Sequence, residues 1–577
     1  NLCKSINRKS KDMSEQPFAK IKDGVKNAKS LVIPDLISVC KESLKTVEQL
    51  VVSLKNKTSS IIVRDGKINP SLLESEQYAA HGLAWFATYV VAIREMLNWA
   101  ERLVSVKRFG EIESLILQSA FGEYLSQIFG GIPMSQGEIV RLSDLHFSNS
   151  EIEKFLDKNI SKLMSNGNSV DVRMKIAELV ADGNFGDYGL GDETLVMIQD
   201  QFRKFVEDQI IPYAQEWHNK DELIPNEIIK KMSELGVFGL TIPEEYQGLG
   251  MGKISMCVVT EELSRGFLTA GSLGTRAEIA SELIRLGGTE EQKKQWLPKI
   301  ASGEVLTTAV FTEPNTGSDL GSLKTRGVKE GDHYLITGAK TWITHGARSD
   351  LMTILARTNT QEKGYKGLSM FLAEKSRGTE ADPFPAEGLS GSEIEVLGYR
   401  GMKEYEMAFD NFKVPSTGLL GGEEGKGFKQ LMETFESARI QTAARSVGVA
   451  QSALEVAMRY AQERSQFGKS IFSFPRIAVK IAWMVVETMI VRQITYFSAR
   501  EKDSDRRCDI QAGMAKLLAA RVAWANADNA LQVHGGNGYA LEYPVSRILC
   551  DARILNIFEG AAEIQAQIVA RGLLIDT

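Results

Sequence analysis

The hydrophobic period changes twice along this 577-residue chain, and the double change limits the folds open to it. Up to about residue 304, and again from Gly425, apolar residues recur at helical spacing. Between Val305 and about Val414 they fall into short runs rich in β-formers, 334–337, 351–355 and 368–372, separated by Gly and Asp turns. That spacing predicts an all-β unit, barrel or sandwich, between helical blocks. The expected fold class is mainly α with a central β-domain.

The blocks divide further. Residues 1–16 read as a polar, disordered tail without the apolar core of a signal peptide, and Met13 is a candidate start. Residues 17–180 form a helical N-terminal extension, with apolar stripes over 36–54 and 83–103, a helix start at Asn69-Pro70-Ser71 and a further helix over about 109–129. The glycine- and aspartate-rich stretch 181–192 reads as a linker. An α-domain follows over 193–304, the β-domain over 305–420, and a four-helix bundle over 421–577 with helices near 425–461, 476–502, 509–537 and 559–574. Residues 123–141 echo 529–547: both carry Gln, two residues, then Gly-Gly, with a Glu and an Arg following at similar offsets. The extension thus reads as a diverged copy of the bundle.

Composition removes several functions. A net charge of −6 argues against nucleic acid. The five cysteines show no CxxC and the histidines no paired spacing, which predicts no metal site and a reducing, cytoplasmic setting. No run is apolar enough to predict a membrane span.

Chemistry concentrates in a few stretches. In 556–560 (NIFEG), Glu559 stands between an apolar turn and a glycine at an expected helix start; it reads either as a helix-capping residue or as a general base whose poor solvation raises its pKa. The loop 312–319 offers the Thr312 and Ser318 hydroxyls and open backbone at Gly317, for a planar ring, a pyrophosphate or a plain turn. Strand alternation puts Trp342 and Thr344 on one face, an aromatic wall or core packing. The stretches 464–469 (RSQFGK) and 532–539 (QVHGGNGY) suit close approach to a phosphate ligand, a solvated loop or a tight helix exit. The glycines of 421–427 fail as a phosphate loop because Gly427, not Ser or Thr, follows Lys426.

In this order the segments FTEPNTGSD, KTWITHG, RSQFGK, LQVHGGNGY and IFEG resemble the acyl-CoA dehydrogenase family over about residues 193–577. The resemblance implies an α-domain, a β-domain and a C-terminal bundle, with FAD between the last two and partly contacted by a neighbouring subunit. It implies that Thr312, Trp342 and Thr344 face the isoalloxazine ring and that Ser318 lies on the FAD and CoA side of its loop. Arg464, Phe467, Gln532, Gly535 and Gly536 would hold the pyrophosphate and adenine of FAD across the subunit interface, Arg439 would lie near the acyl-CoA, and Glu559 would be the catalytic base. Some members place the base on an earlier helix, but Ser437-Ala438-Arg439 carries no carboxylate there. Ala561 departs from the hydroxyl residue of many relatives.

The resemblance also bears on the substrate. Over 274–284, members that accept fatty acyl chains carry apolar or small residues, whereas Arg276, Glu278 and Ser281 are polar. Arg276 is expected either to bind a carboxylate at the end of a short acyl chain or to sit on the surface with Glu278 or Glu282. The implied activity is FAD-dependent α,β-dehydrogenation of a short branched acyl-CoA, with electrons passed to an electron-transfer flavoprotein. Another short or branched acyl-CoA, an acyl-CoA oxidase and a non-catalytic flavin-binding scaffold remain as alternatives. The extension is expected to cover a bundle face that tetrameric relatives use, leaving a homodimer.

Overall fold

Apolar residues one helical turn apart build the extension. The helix Leu36–Ile62 buries Leu36, Val39, Cys40, Leu44, Val47, Leu50 and Leu54 as one stripe. Asn69 caps the next helix by accepting the Leu72 N–H, with Pro70 at its first position. The helices Gln77–Ser105 and Glu111–Gly130 are buried on most sides, because they lie between the extension's outer helices and the C-terminal bundle. The computed structural model describes residues 30–575; the tail expected over 1–16 and the first residues of the extension lie outside the described residues.

Extension and bundle share one hydrophobic core that runs from Ile33 to Leu574. At its centre Arg521 Nη2 donates to Glu487 Oε1 at 2.5 Å, beneath the stacked rings of Tyr89 and Tyr124 (centroids 4.2 Å apart). The stretch 181–192 holds no helix or strand before Asp192, yet it is strapped down. Trp99 Nε1 donates to the Asp187 carbonyl at 2.9 Å, Gln493 Nε2 donates to that of Tyr188 at 2.9 Å, and the Arg492 guanidinium lies 3.7 Å over the Tyr188 ring.

The α-domain is built from the helices Glu193–Gln209, Ile211–Lys220, Asn226–Glu234, Lys253–Gly266, Leu268–Gly287 and Glu290–Ala301. After it come strands β1 (Thr307–Val310), β2 (Arg326–Glu330), β3 (His333–Thr344), β4 (Leu351–Arg357), β5 (Leu368–Glu374), β6 (Leu389–Ile394) and β7 (Glu404–Pro415). They form one seven-stranded sheet in the order β6-β7-β3-β2-β4-β1, with β5 paired to β4. All pairings are antiparallel except those of β4 with β1 and β2.

The bundle comprises the helices Gly427–Glu463, Pro475–Asp503, Asp509–His534 and Ala562–Ile575, plus a short helix Pro544–Ile554 that the apolar spacing did not separate. The third helix stops at His534 rather than near 537, because Gly535 takes a left-handed φ of 58° and a 3-10 turn follows. The last helix starts at Ala562, so 556–561 is a non-helical connection. The echoing segment also leaves its helix at a positive-φ glycine, Gly131, but then pairs 132–133 with 139–140 instead of forming a helix. No helix among the described residues is long and apolar enough to cross a membrane.

Candidate active site

Glu559 has a φ of 53° and Gly560 one of 90°. A left-handed glutamate costs on the order of 1–2 kcal/mol, so its surroundings must impose it. They do so through the main chain. Lys516 Nζ donates to the Gly560 carbonyl at 2.6 Å, and Gln565 Nε2 donates to that of Glu559 at 3.2 Å. Asn556 is pinned by its Nδ2 donating to the Ala520 carbonyl and by its own carbonyl accepting the Ala562 N–H. The Glu559 backbone N–H meets no acceptor among the described residues.

The side chain is held by two arginines. Arg276 Nη2 donates to Glu559 Oε1 at 2.5 Å, Arg445 Nη2 donates to Oε2 at 2.6 Å, and the Thr442 hydroxyl also donates to Oε2. Burial pushes the carboxyl up, but Arg445, Arg276 and these hydrogen bonds outweigh it and hold its pKa at about 2. The expected rise toward neutrality is therefore reversed. The apolar flanks Ile557 and Phe558 are visible in the local sequence, whereas the cations arrive from helices 283 and 114 residues upstream. Glu436, beside the earlier-helix position, is committed to Lys502 at 2.7 Å.

Arg276 is only 9% exposed, which excludes the surface alternative. Glu278 and Glu282 both pair with Lys253, at 2.5 and 3.4 Å, and Glu282 also binds Arg285. Arg445 is fully buried, donates to Ser272 Oγ at 2.9 Å, and lies 4.8 Å over the Phe558 ring. Sequence reading missed Arg445 and Thr442. The available signal was one charge in the small-residue run 443–450 (AARSVGVA).

A buried wall of two weak acids faces these charges. Glu404 on β7 stands opposite Thr344 on β3. Burial raises its pKa to about 7, against the Thr344 hydroxyl and then Arg276, and its Oε1 has no partner. The Tyr399 hydroxyl is likewise buried without a partner, and its ring meets Phe558 edge-on at 5.3 Å. A protonated Glu404 leaves Glu559 as the carboxylate that pairs with Arg276. The stabilising burial of Glu404 is fully present below the unfolded carboxyl pKa near 4.5 and is lost as pH rises toward 7. Glu404→Gln should therefore raise the melting temperature at pH 8, by the equivalent of at most about 3 kcal/mol, and leave it unchanged near pH 4. A shift of equal size at both pH values would show that the Glu404 pKa is not raised in the fold.

Trp342 does not follow the strand alternation. The β3–β7 register slips between Tyr405↔Ile343 and Met407↔Lys340, and in this bulge Trp342 takes a φ of 58° and is 56% exposed, while Thr344 is buried. Trp342 and Thr344 therefore do not share one face, against the strand alternation expected for them. The loop 312–319 beside them is firmly tied. The Glu313 carboxylate accepts the N–H groups of Lys324 and Thr325, both at 2.7 Å, and pairs with buried Lys340 at 3.2 Å. Thr312 is half-buried there and Ser318 exposed.

Three domain families cover the chain from 192 onward: the acyl-CoA dehydrogenase N-terminal domain over 192–304, the middle domain over 308–412 and the C-terminal domain over 425–574. The chain belongs to the acyl-CoA dehydrogenase family. It is 60% identical to the (2S)-methylsuccinyl-CoA dehydrogenase of Cereibacter sphaeroides over 94% of this chain and 99% of that protein, a match long enough to include the extension. Solved acyl-CoA dehydrogenase relatives cover less. A glutaryl-CoA dehydrogenase in complex with glutaryl-CoA has a TM-score of 0.62 and 35% identity over 66% of this chain and 94% of its own. A glutaryl-CoA dehydrogenase from Mycobacterium smegmatis in complex with FADH2 has a TM-score of 0.61 and 27% identity over 66% and 95%.

The remaining residues expected from the acyl-CoA dehydrogenase resemblance form a second group, at one end of the bundle. The Tyr460 ring stacks on His534 at 4.1 Å and its hydroxyl accepts from Asn537 Nδ2, which sets the 464–469 and 532–539 segments side by side. Arg464, Gln532, Gly535 and Gly536 are exposed, and Phe467 is 93% exposed with a φ of 53°. A Cβ placed on Gly535 or Gly536 would meet nothing within 4 Å. Among the described residues, no hydrogen bond, ion pair or ring contact joins this group to Trp342 or Glu559. Arg439 is buried beside Glu436 and 5.7 Å from the Phe435 ring, without a contact to Glu559.

Proposed function

We propose that this acyl-CoA dehydrogenase oxidises (2S)-methylsuccinyl-CoA to mesaconyl-CoA, with Glu559 as the base. The observation that carries the reading is that Arg276 and Arg445 touch the Glu559 carboxylate itself. In methylsuccinyl-CoA the free carboxylate is bonded to the β-carbon, next to the α-carbon that loses its proton. Cations that recognise it must stand beside the base, as these two do. A fatty acyl chain would instead lay methylenes against two buried guanidinium groups and offer them no partner.

The residues present fit FAD. Trp342 is an exposed aromatic in a strained backbone beside Thr344, and the exposed cation Arg464 lies near the open glycines 535–536. Thr312, Trp342 and Thr344 would hold the ring end. Arg464, Phe467, Gln532, Gly535 and Gly536 would hold the pyrophosphate and adenine of FAD in a second subunit, consistent with their separation from Trp342. Ser318 and Arg439 would meet the CoA ester. When bound, FAD supplies the acceptor for the hydride that leaves the β-carbon. The free Glu559 N–H polarises the thioester carbonyl. The Glu559 carboxylate takes the α-proton, and the electron pair left behind becomes the new Cα=Cβ bond. The electrons then leave to an electron-transfer flavoprotein.

Anaerobic mixing of the holoenzyme with methylsuccinyl-, isobutyryl-, butyryl- and glutaryl-CoA tests the reading. Rapid bleaching of the flavin by methylsuccinyl-CoA alone is expected, and equal bleaching by butyryl-CoA would overturn it.

The same reading makes the protein a cytoplasmic homodimer. Cys40, Cys257, Cys508 and Cys550 are all free thiols, as a reducing compartment keeps them. The extension covers the bundle helices Pro475–Asp503, Asp509–His534 and Ala562–Ile575 within one chain, a face that a second dimer would need. Light scattering should give twice the 63.8 kDa chain mass, and a tetramer mass would refute the covering role.

A further inference from the structure

Each arginine grips Glu559 by only one nitrogen. Arg276 uses Nη2 and leaves its adjacent Nε buried with no partner, and Arg445 likewise uses Nη2 and leaves its Nε unpartnered. The side of Arg276 that presents Nε and Nη2 together is the side that binds a carboxylate through two parallel hydrogen bonds, the strongest form of this pair. Glu559 cannot adopt that form while its other oxygen is held by Arg445 and Thr442. The grip is thus tight but incomplete, and a carboxylate free to orient itself fits Arg276 better than Glu559 does.

We propose that Arg276 and Arg445 form an exchange lock: in the empty site they hold the base, and a carboxylate on the substrate's β-carbon takes their hydrogen bonds and releases Glu559 for proton abstraction. This inference rests on the proposed diacid substrate and deepens it. Selection then occurs at the proton-transfer step as well as in binding, because an acyl-CoA without the second carboxylate occupies the site but leaves Glu559 locked. The neutral neighbours support the exchange. Glu404 and Tyr399 add no anion that would compete for Arg276 while protonated, and the Tyr399 hydroxyl and Glu404 Oε1 are themselves unpartnered toward the same charges.

Equilibrium binding of mesaconyl-CoA and crotonyl-CoA, esters already dehydrogenated, to the holoenzyme tests the lock. Glu559→Gln removes the charge that competes with the ligand carboxylate. It should tighten mesaconyl-CoA by about 10-fold or more and change crotonyl-CoA by less than about 2-fold. Unchanged or weaker mesaconyl-CoA binding overturns the lock. Arg276→Ala serves as the control for the underlying reading. If it weakens mesaconyl-CoA no more than crotonyl-CoA, the arginine does not bind the carboxylate, and both the reading and the lock fall. If it does and Glu559→Gln still does not tighten mesaconyl-CoA, only the lock falls. A second test needs no variant: formate added to the wild-type holoenzyme with butyryl-CoA should compete with Glu559 for the arginines and speed flavin reduction in a saturable way. No acceleration by formate overturns the lock.

Discussion

Glu559→Gln should abolish flavin reduction by methylsuccinyl-CoA, by about 10⁴-fold or more, the range lost when a positioned general base is removed. The variant should still bind FAD and CoA esters. Glutamine keeps the shape and can still accept from Arg276, Arg445 and Thr442, but it cannot take a proton. The change also strips the counter-charge from two buried guanidinium groups, so the ligand-free variant should melt lower than wild type. The binding measurement must accompany the kinetics for that reason. Retained turnover would move the base elsewhere, and Glu404 is the other buried carboxyl beside Arg276.

Arg276→Ala should lower kcat/KM for methylsuccinyl-CoA by about 10²–10³-fold, the cost of removing one partner from a buried charged pair. A monocarboxylic analogue such as butyryl-CoA should lose less than about tenfold, because it makes no ion pair to lose. The two substrates therefore separate the arginine's binding role from general damage to the site. Equal losses would mean that Arg276 only supports Glu559 and does not read the substrate.

How much of this was legible depends on how far apart the deciding residues lie. The helix–strand–helix order and the stripes of 36–54 and 193–304 were readable because their period is local. The helix Pro544–Ile554 was not, because it is short and its break from the preceding helix lies in the conformations of Gly535 and the turn after it. Strand alternation put Trp342 on one face with Thr344, and that rule could not foresee a bulge created by the register of a strand more than sixty residues later. The Glu559 stretch announced a poorly solvated carboxylate. Its charge state was set instead by Arg276 and Arg445, and only the fold brings those within 2.6 Å. Local sequence could flag each arginine as out of place on its helix, but not that both point at one glutamate.

The most direct measurement of the central claim is a crystal structure of the Glu559→Gln holoenzyme with FAD and methylsuccinyl-CoA. The substrate carboxylate is expected between Arg276 and Arg445, with the α-carbon held between residue 559 and the flavin ring. A carboxylate bound away from both arginines, or residue 559 turned from the α-carbon, would contradict it.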